Sequence, residues 1–289
     1  MRNLASPKVI KEILSEYEFR FSKSLGQNFL IDEAALDNIV EGASLNENDC
    51  VLEIGAGFGT LTQRMLPRVK KVVCVEIDKT VIPIIESNLS DFNNLHLIND
   101  DILKVDLKKI IDEESVNYKN IKIVANLPYY ITTPIIMKLL EEELNIDSIT
   151  IMVQKEVADR IIETPGGKNS GAITYSVYYY AIPSEIIFVP RNSFMPSPEV
   201  DSKVIQLKIR KEPPIKVKDK EKFFNVIKTS FMQRRKTLLN GLCNGNIVNS
   251  KEEGKKILQK LNLPENIRGE KLTIEQYTEL YNLLYENVN

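Results

Sequence analysis

Residues 124–136, VANLPYYITTPII, run an apolar strand-like segment into Asn126, Leu127, Pro128, Tyr129 and Tyr130. Packing alone would favour aliphatics at a strand end. An amide side-chain oxygen beside a backbone carbonyl can instead accept both N–H bonds of one exocyclic amino group. Where such an amino group is conjugated with a ring its nitrogen is a poor nucleophile, because its lone pair is delocalised into the ring. Held by Asn126 Oδ1 and the Leu127 carbonyl, it is drawn toward a tetrahedral shape with its lone pair available. Pro128 stiffens the backbone that aims the carbonyl. Tyr129 can stack on one face of a planar ring that carries such a group, and Phe194, from FMPSP (194–198), can close the other. Each stacking contact is worth about 1–3 kcal/mol. No strong base is needed if the electrophile is already activated, because orientation alone can supply up to about 7–11 kcal/mol.

A second group of residues indicates what delivers that electrophile. VLEIGAGFGTLT (51–62) places Gly55, Gly57 and Gly59 where a strand turns into a helix. Glycines there permit positive φ and let a ligand approach the backbone. Their GxGxG spacing lacks the GxGxxG pattern that seats a pyrophosphate, which disfavours a dinucleotide. The next strand ends in Glu76-Ile77-Asp78, where an acid can accept both hydroxyls of a ribose. The strand after it is followed by Asn99-Asp100-Asp101-Ile102-Leu103, where Asp101 can accept from an adenine amino group. An adenosine-containing ligand without a pyrophosphate, followed by an Asn-Pro-aromatic block, suggests S-adenosylmethionine.

These residues must be held by alternating strands and helices. From residue 50, short β-branched runs alternate with helical periods, the pattern of parallel strands joined by crossover helices. Strands are expected at 50–54, 71–77, 95–99, 121–126 and 148–153. TLTQRML, KTVIPIIESNL, VDLKKIIDEE and TPIIMKLLEEEL read as the helices between them, Thr133 and Pro134 suiting the cap and first position of the last. EIIFVP and DSKVIQLKIR add two strands after the Gly-rich TPGGKNSG, giving a doubly wound α/β sheet of seven strands. KEPPIKVKDK (211–220) breaks the pattern, and the remainder reads as helices. The expected division is a catalytic domain at 1–210, its first 30 residues forming a lid region, and a small all-helical RNA-binding domain at 211–289. In that lid, Gln27 and Asn28 of GQNFL would lie over a bound cofactor.

Composition narrows the partners. The net charge is −2, yet residues 201–240 hold twelve Lys and Arg against four Asp and Glu, leaving +8 there and −10 elsewhere. A basic segment on an acidic body suits a phosphate backbone. Lys23, Arg234, Arg235 and Lys236 are the candidate phosphate contacts. The three cysteines form no CxxC pair and fall in apolar segments, and His96 is the single histidine, so neither a metal nor a disulfide is expected. No apolar run long enough for a membrane span is present, and the start MRNLASPKVIKEILSEYEF is too charged for a secretory signal, so a cytoplasmic location is expected. A monomer is the expected state, although no feature of the sequence fixes it.

KSLGQNFL, VLEIGAGFGTLT, VEID, NDDIL, NLPYYITTPI, MVQKEVADRI, FMPSPEVDSKV and FMQRRKTL occur in that order along nearly the whole chain. In these blocks the sequence resembles the rRNA adenine N6,N6-dimethyltransferases that modify two adjacent adenines near the 3′ end of small-subunit (16S) rRNA. The resemblance implies a Rossmann-like class I methyltransferase with a small helical C-terminal domain, acting on rRNA within a 30S pre-ribosomal particle. It also implies that Asn28, Leu30, Gly55, Glu76, Asp101 and Asn126 line the S-adenosylmethionine site. One departure is Tyr130, where the commonest form of the block has Asn. The related large-subunit (23S) rRNA adenine methyltransferases of macrolide resistance share most motifs, but the long GQNFL and QKEVADRI blocks favour the small-subunit type. A nicotinamide-dependent oxidoreductase fits neither the glycine spacing nor the Asn-Leu-Pro-Tyr block. A non-enzymatic RNA-binding assembly module would not need the full set of polar site residues.

Overall fold

The computed structural model describes residues 2–22, 25–233 and 236–285. Its strands are β1 (Phe29–Leu30), β2 (Asp49–Ile54), β3 (Lys71–Glu76), β4 (Leu95–Asn99), β5 (Asn120–Asn126), β6 (Ser148–Gln154), β7 (Ala181–Val189), β8 (Phe194–Met195) and β9 (Ser202–Ile209). Its helices are α1 (Pro7–Glu16), α2 (Glu33–Gly42), α3 (Thr60–Met65), α4 (Ile82–Asn88), α5 (Leu107–Ser115), α6 (Thr132–Glu141), α7 (Lys155–Ile161), α8 (Ala172–Tyr180), α9 (Lys220–Phe231), α10 (Leu238–Asn244), α11 (Lys251–Lys260) and α12 (Ile274–Tyr285).

The chain divides into two units. The first holds the described residues up to Ala158 together with Pro183–Ile209. Its strands stand in the order β4-β3-β2-β5-β6-β9-β7, with β4, β3, β2, β5 and β6 parallel and β9 antiparallel to β6. Every residue of β2 is buried, and so is all of β6 but its last, as strands covered on both faces require. Strand order reverses between β3-β4 on one side of β2 and β5-β6 on the other, which opens a crevice at the carboxyl ends of β2 and β5. Asp32 and Asp106 cap α2 and α5 by accepting from the Ala35 and Lys109 N–H groups, at 3.1 and 2.9 Å.

Two local expectations are corrected. Thr133 is not a cap: α6 begins at Thr132, straight out of a 3-10 turn at Tyr129–Ile131, and Thr132 Oγ1 donates to the Pro128 carbonyl at 3.0 Å. Pro134 therefore stands in the first turn, where its missing N–H has no partner to lose. Phe194 does not stand in an open loop. With Met195 it forms β8, paired antiparallel to β1 with Leu30 opposite Phe194, and its side chain is 3% exposed within the hydrophobic core.

The second unit holds Asp159–Ile182 and the described residues from Arg210 onward. Residues 159–182 join it although they precede 210 in sequence, and Tyr175 shows why. Its hydroxyl donates to the Leu272 carbonyl at 2.6 Å and accepts from Gly166 N at 3.2 Å, and its ring meets Tyr277 edge-on at 5.0 Å. α9 to α12 close around Phe223, Phe224, Leu238, Tyr277 and Tyr281. Among the described residues no helix is long and apolar enough to cross a membrane, and no cluster of His, Cys, Asp and Glu could hold a metal.

Candidate cofactor and catalytic site

The crevice of the first unit is a pocket lined by the ends of β2, β3 and β5, the turn after β4, and residues Leu25–Leu30. At its floor β2 turns into α3 through Gly55, Gly57 and Gly59, with φ of +75°, +58° and +85°. Each glycine has its own reason. A Cβ on Gly57 would lie 2.7 Å from the Phe29 ring, and one on Gly59 would lie 2.9 Å from Leu89. At Gly55 the nearest atom to such a Cβ would be the Asn126 carbonyl oxygen at 4.0 Å, so there the backbone faces open space that a ligand can fill. The stacked rings of Phe29 and Phe58, with centroids 4.1 Å apart, join the Leu25–Leu30 segment to this turn.

Glu76 ends β3 and is buried, its Oε2 accepting from Gly57 N at 3.1 Å and its Oε1 from Asp78 N at 2.9 Å. Burial raises its pKa, opposed by the Asp78 and Gly57 N–H groups. Each oxygen keeps a lone pair for a hydroxyl donor. Asp101 follows β4, accepting from Leu103 N at 2.9 Å and facing Lys104 Nζ at 3.5 Å. Between these acids Ile77 and Ile102 line the pocket, Ile77 being 47% exposed. They offer the apolar surface a purine face needs. The sequence reading missed them, although each directly follows a strand-end acid in VEID and NDDIL.

Asn126 ends β5, and its Nδ2 donates to the Asn28 carbonyl at 3.2 Å. Among the described residues no donor meets Asn126 Oδ1, so the amide is oriented from one side and available on the other. Asn28 Nδ2 in turn donates to the Gly26 carbonyl at 2.9 Å. Gln27 Nε2 donates to Asp78 at 2.6 Å, fastening the segment to the end of β3. Leu127 donates its N–H to Met152 at 3.2 Å, and Pro128 has φ −61°. The Tyr129 hydroxyl shares a 2.6 Å hydrogen bond with Ser202 Oγ in β9. Burial raises the Tyr129 pKa, with Ser202 opposing. Ser202 was not singled out in the sequence, since nothing in FMPSPEVDSKV marks that serine as the anchor of a distant tyrosine.

The structure thus brings Asn28, Leu30, Gly55, Glu76, Asp101, Asn126, Leu127, Pro128 and Tyr129 to one pocket. It does not bring Phe194 there. Lys236 lies exposed in the second unit, and Lys23, Arg234 and Arg235 lie outside the described residues.

A mostly parallel sheet of this order, with a glycine turn and strand-end acids at its switch point, is the Rossmann-like class I methyltransferase fold. The dimethyladenosine transferase of Plasmodium falciparum superposes with a TM-score of 0.70 at 27% identity, covering 87% of this chain and 95% of its own. The 23S rRNA methyltransferase ErmE shares the fold, with a TM-score of 0.65, 24% identity, and coverage of 89% and 99%. The family model for ribosomal RNA adenine dimethylase matches residues 18–286, and the chain belongs to that family. A relative from Alkaliphilus oremlandii, named ribosomal RNA small subunit methyltransferase A, is 50% identical over 98% of this chain and 99% of its own. One of the same name from Clostridioides difficile is 46% identical over 100% and 99%.

Proposed function

We propose that the chain transfers methyl groups from S-adenosylmethionine to the N6 atoms of two adjacent adenines near the 3′ end of small-subunit rRNA, giving N6,N6-dimethyladenosines during assembly of the 30S subunit. It works in the cytoplasm as a monomer on a pre-ribosomal particle. The observation that carries this reading is the convergence of Glu76, Asp101 and the oriented amide of Asn126 on one pocket. The open backbone at Gly55 and the spare lone pairs of Glu76 fit the cofactor. Glu76 would hold its ribose, Asp101 its adenine amino group, Ile77 and Ile102 its purine faces, and Asn28 and Leu30 its remaining edge. When bound, S-adenosylmethionine supplies a sulfonium methyl group ready for displacement.

The protein's own part is positioning. Asn126 Oδ1 and the Leu127 carbonyl accept the two N–H bonds of the target amino group, so its lone pair turns out of the ring plane. The Leu127 carbonyl is aimed because its own N–H is tied to Met152 and the next residue is proline. Tyr129 stacks on the base, its ring fixed by the bond to Ser202. After one transfer and loss of a proton an N–H remains, so the same acceptors can hold the nitrogen again. Lys236, with Lys23, Arg234 and Arg235, carries phosphate contacts in keeping with the +8 charge of residues 201–240. Incubating unmethylated 30S particles with labelled cofactor and mapping the label tests the proposal. Dimethyladenosine at two adjacent 3′-proximal adenines is expected. Label on naked large-subunit rRNA and not on 30S particles would overturn it.

A further inference from the structure

Tyr130 stands one residue beyond the proposed base-stacking ring, in the turn Tyr129–Ile131, and it lines the pocket while remaining 53% exposed. Its inner side lies against Gly26, where an added Cβ would fall 3.2 Å from the Tyr130 Cδ1, 3.5 Å from its Cε1 and 3.9 Å from Pro128 Cβ. Gly26 has φ +61° and belongs to the Leu25–Asn28 segment, already fastened by Gln27 to Asp78 and by the Asn28 carbonyl to Asn126. Glu76 and Asp101 line the same pocket. Burial raises the Tyr130 pKa, and the charges of Asp101 and Glu76 raise it further. The ring therefore lies against the Leu25–Asn28 segment in the pocket that the two acids proposed to hold the adenosine also line.

We propose that Tyr130 is a positioning residue that clasps the Leu25–Asn28 segment over the adenosine end of the pocket and slows release of the spent cofactor. The inference rests on the cofactor reading above. Folding does not require the ring: it is more than half exposed, and its neighbours at Gly26 are surface it covers rather than core it fills. An aromatic ring lying on a glycine backbone adds a fastening beside the Gln27–Asp78 and Asn126–Asn28 hydrogen bonds. It acts where the nucleoside has to leave.

The test uses the full chain and S-adenosylhomocysteine as probe, with release followed by surface plasmon resonance. Tyr130→Asn should release the probe about tenfold faster, equivalent to about 1.4 kcal/mol, at an unchanged melting temperature. Tyr130→Phe should stay within about twofold of wild type, since the ring remains and only the hydroxyl is lost. Hydrogen exchange of the Gly26–Phe29 amides without nucleoside should quicken in Tyr130→Asn and return to wild-type rates in Tyr130→Phe. Unaltered release and exchange in Tyr130→Asn would overturn the clasp alone. A Tyr130→Phe variant as fast as Tyr130→Asn would overturn the ring-on-glycine contact. Failure of the wild-type chain to bind the probe would overturn both the clasp and the cofactor reading.

Discussion

Strand β2 carries a buried carboxylate near each end, and the two are treated in opposite ways. Asp49, fully buried, accepts from Lys122 Nζ at 2.7 Å, from the Asn46 N–H and Nδ2 at 2.9 and 2.8 Å, and from Asn120 Nδ2 at 3.3 Å. Glu53, four positions on and equally buried, has only the Thr62 hydroxyl at 2.6 Å and the Cys74 thiol at 3.1 Å. Neighbouring Glu76 has only backbone N–H groups, and among the described residues no Lys or Arg pairs with either glutamate. The amino end of the sheet satisfies its own charge and is finished as structure. The carboxyl end keeps buried acids short of partners, a costly arrangement that persists where a ligand completes it.

The largest expected effect strips the finished end. Asp49→Ala leaves Lys122, nearly buried, without its counter-charge, and losing one partner of a buried pair costs about 3–5 kcal/mol. Denaturant unfolding should show that loss, while cofactor affinity of the folded protein stays at the wild-type value. A loss under about 1 kcal/mol would erase the distinction between the two ends. Asn126→Ala should do the reverse. Removing one preorganised polar group from a site of this kind costs about 2.7–4 kcal/mol in the barrier, so single-turnover methylation should fall about a hundredfold or more. Its melting temperature should hold. A large drop in melting temperature with a rate within threefold of wild type would make Asn126 a structural residue like Asp49.

Glu53 sharpens the contrast through pH. Burial, ahead of any other influence, pushes its pKa from 4.5 up to about 7, with the Thr62 and Cys74 hydrogen bonds opposing. A carboxyl raised on folding stabilises the protein fully below its unfolded value and loses that contribution as pH rises through the folded value. Stability should therefore decline between pH 4.5 and about 7, by on the order of 3 kcal/mol from this group. Glu76, raised in the same direction by burial, adds a slope of the same sign. Glu53→Gln should remove most of the decline in a pH series of denaturant midpoints. An identical slope in that variant would mean that Glu53 is ionised in the folded protein at neutral pH.

The carboxyl end of the sheet was legible in the sequence because its parts are local. A GxGxG turn, an acid after each of two strands and Asn-Leu-Pro-Tyr after a third each announce a strand end, and parallel topology brings such ends together. What escaped depends on contacts far apart in the chain. The ladder between Phe29–Leu30 and Phe194–Met195 joins residues more than 160 positions apart, and it turned Phe194 from a presumed stacking ring into core. The bond between Tyr129 and Ser202 spans 73 positions. Residues 159–182 read as belonging with the sheet until Tyr175 ties them to Leu272. Helix α8, AITYSVYYY, is apolar nearly all round, so it shows no single stripe to betray it.

The smallest of these effects bears most directly on the unfinished end. Glu76→Ala removes the carboxylate proposed to hold the ribose, and a hydrogen bond to a charged group is worth about 1.5–3 kcal/mol. Affinity for S-adenosylmethionine should weaken by that amount in calorimetry, about tenfold to more than a hundredfold. The variant also leaves the Gly57 and Asp78 N–H groups without their acceptor, so some stability is lost, but water entering from the pocket can satisfy both. Asp49 has no such recourse, lying buried beneath Lys122 and two asparagines. The ratio of the two variants is therefore the measurement that matters: Asp49→Ala should lose far more stability than affinity, and Glu76→Ala more affinity than stability. If Glu76→Ala binds cofactor as wild type does and unfolds early, then Glu76 serves only to brace the glycine turn, and the ribose assignment falls with it.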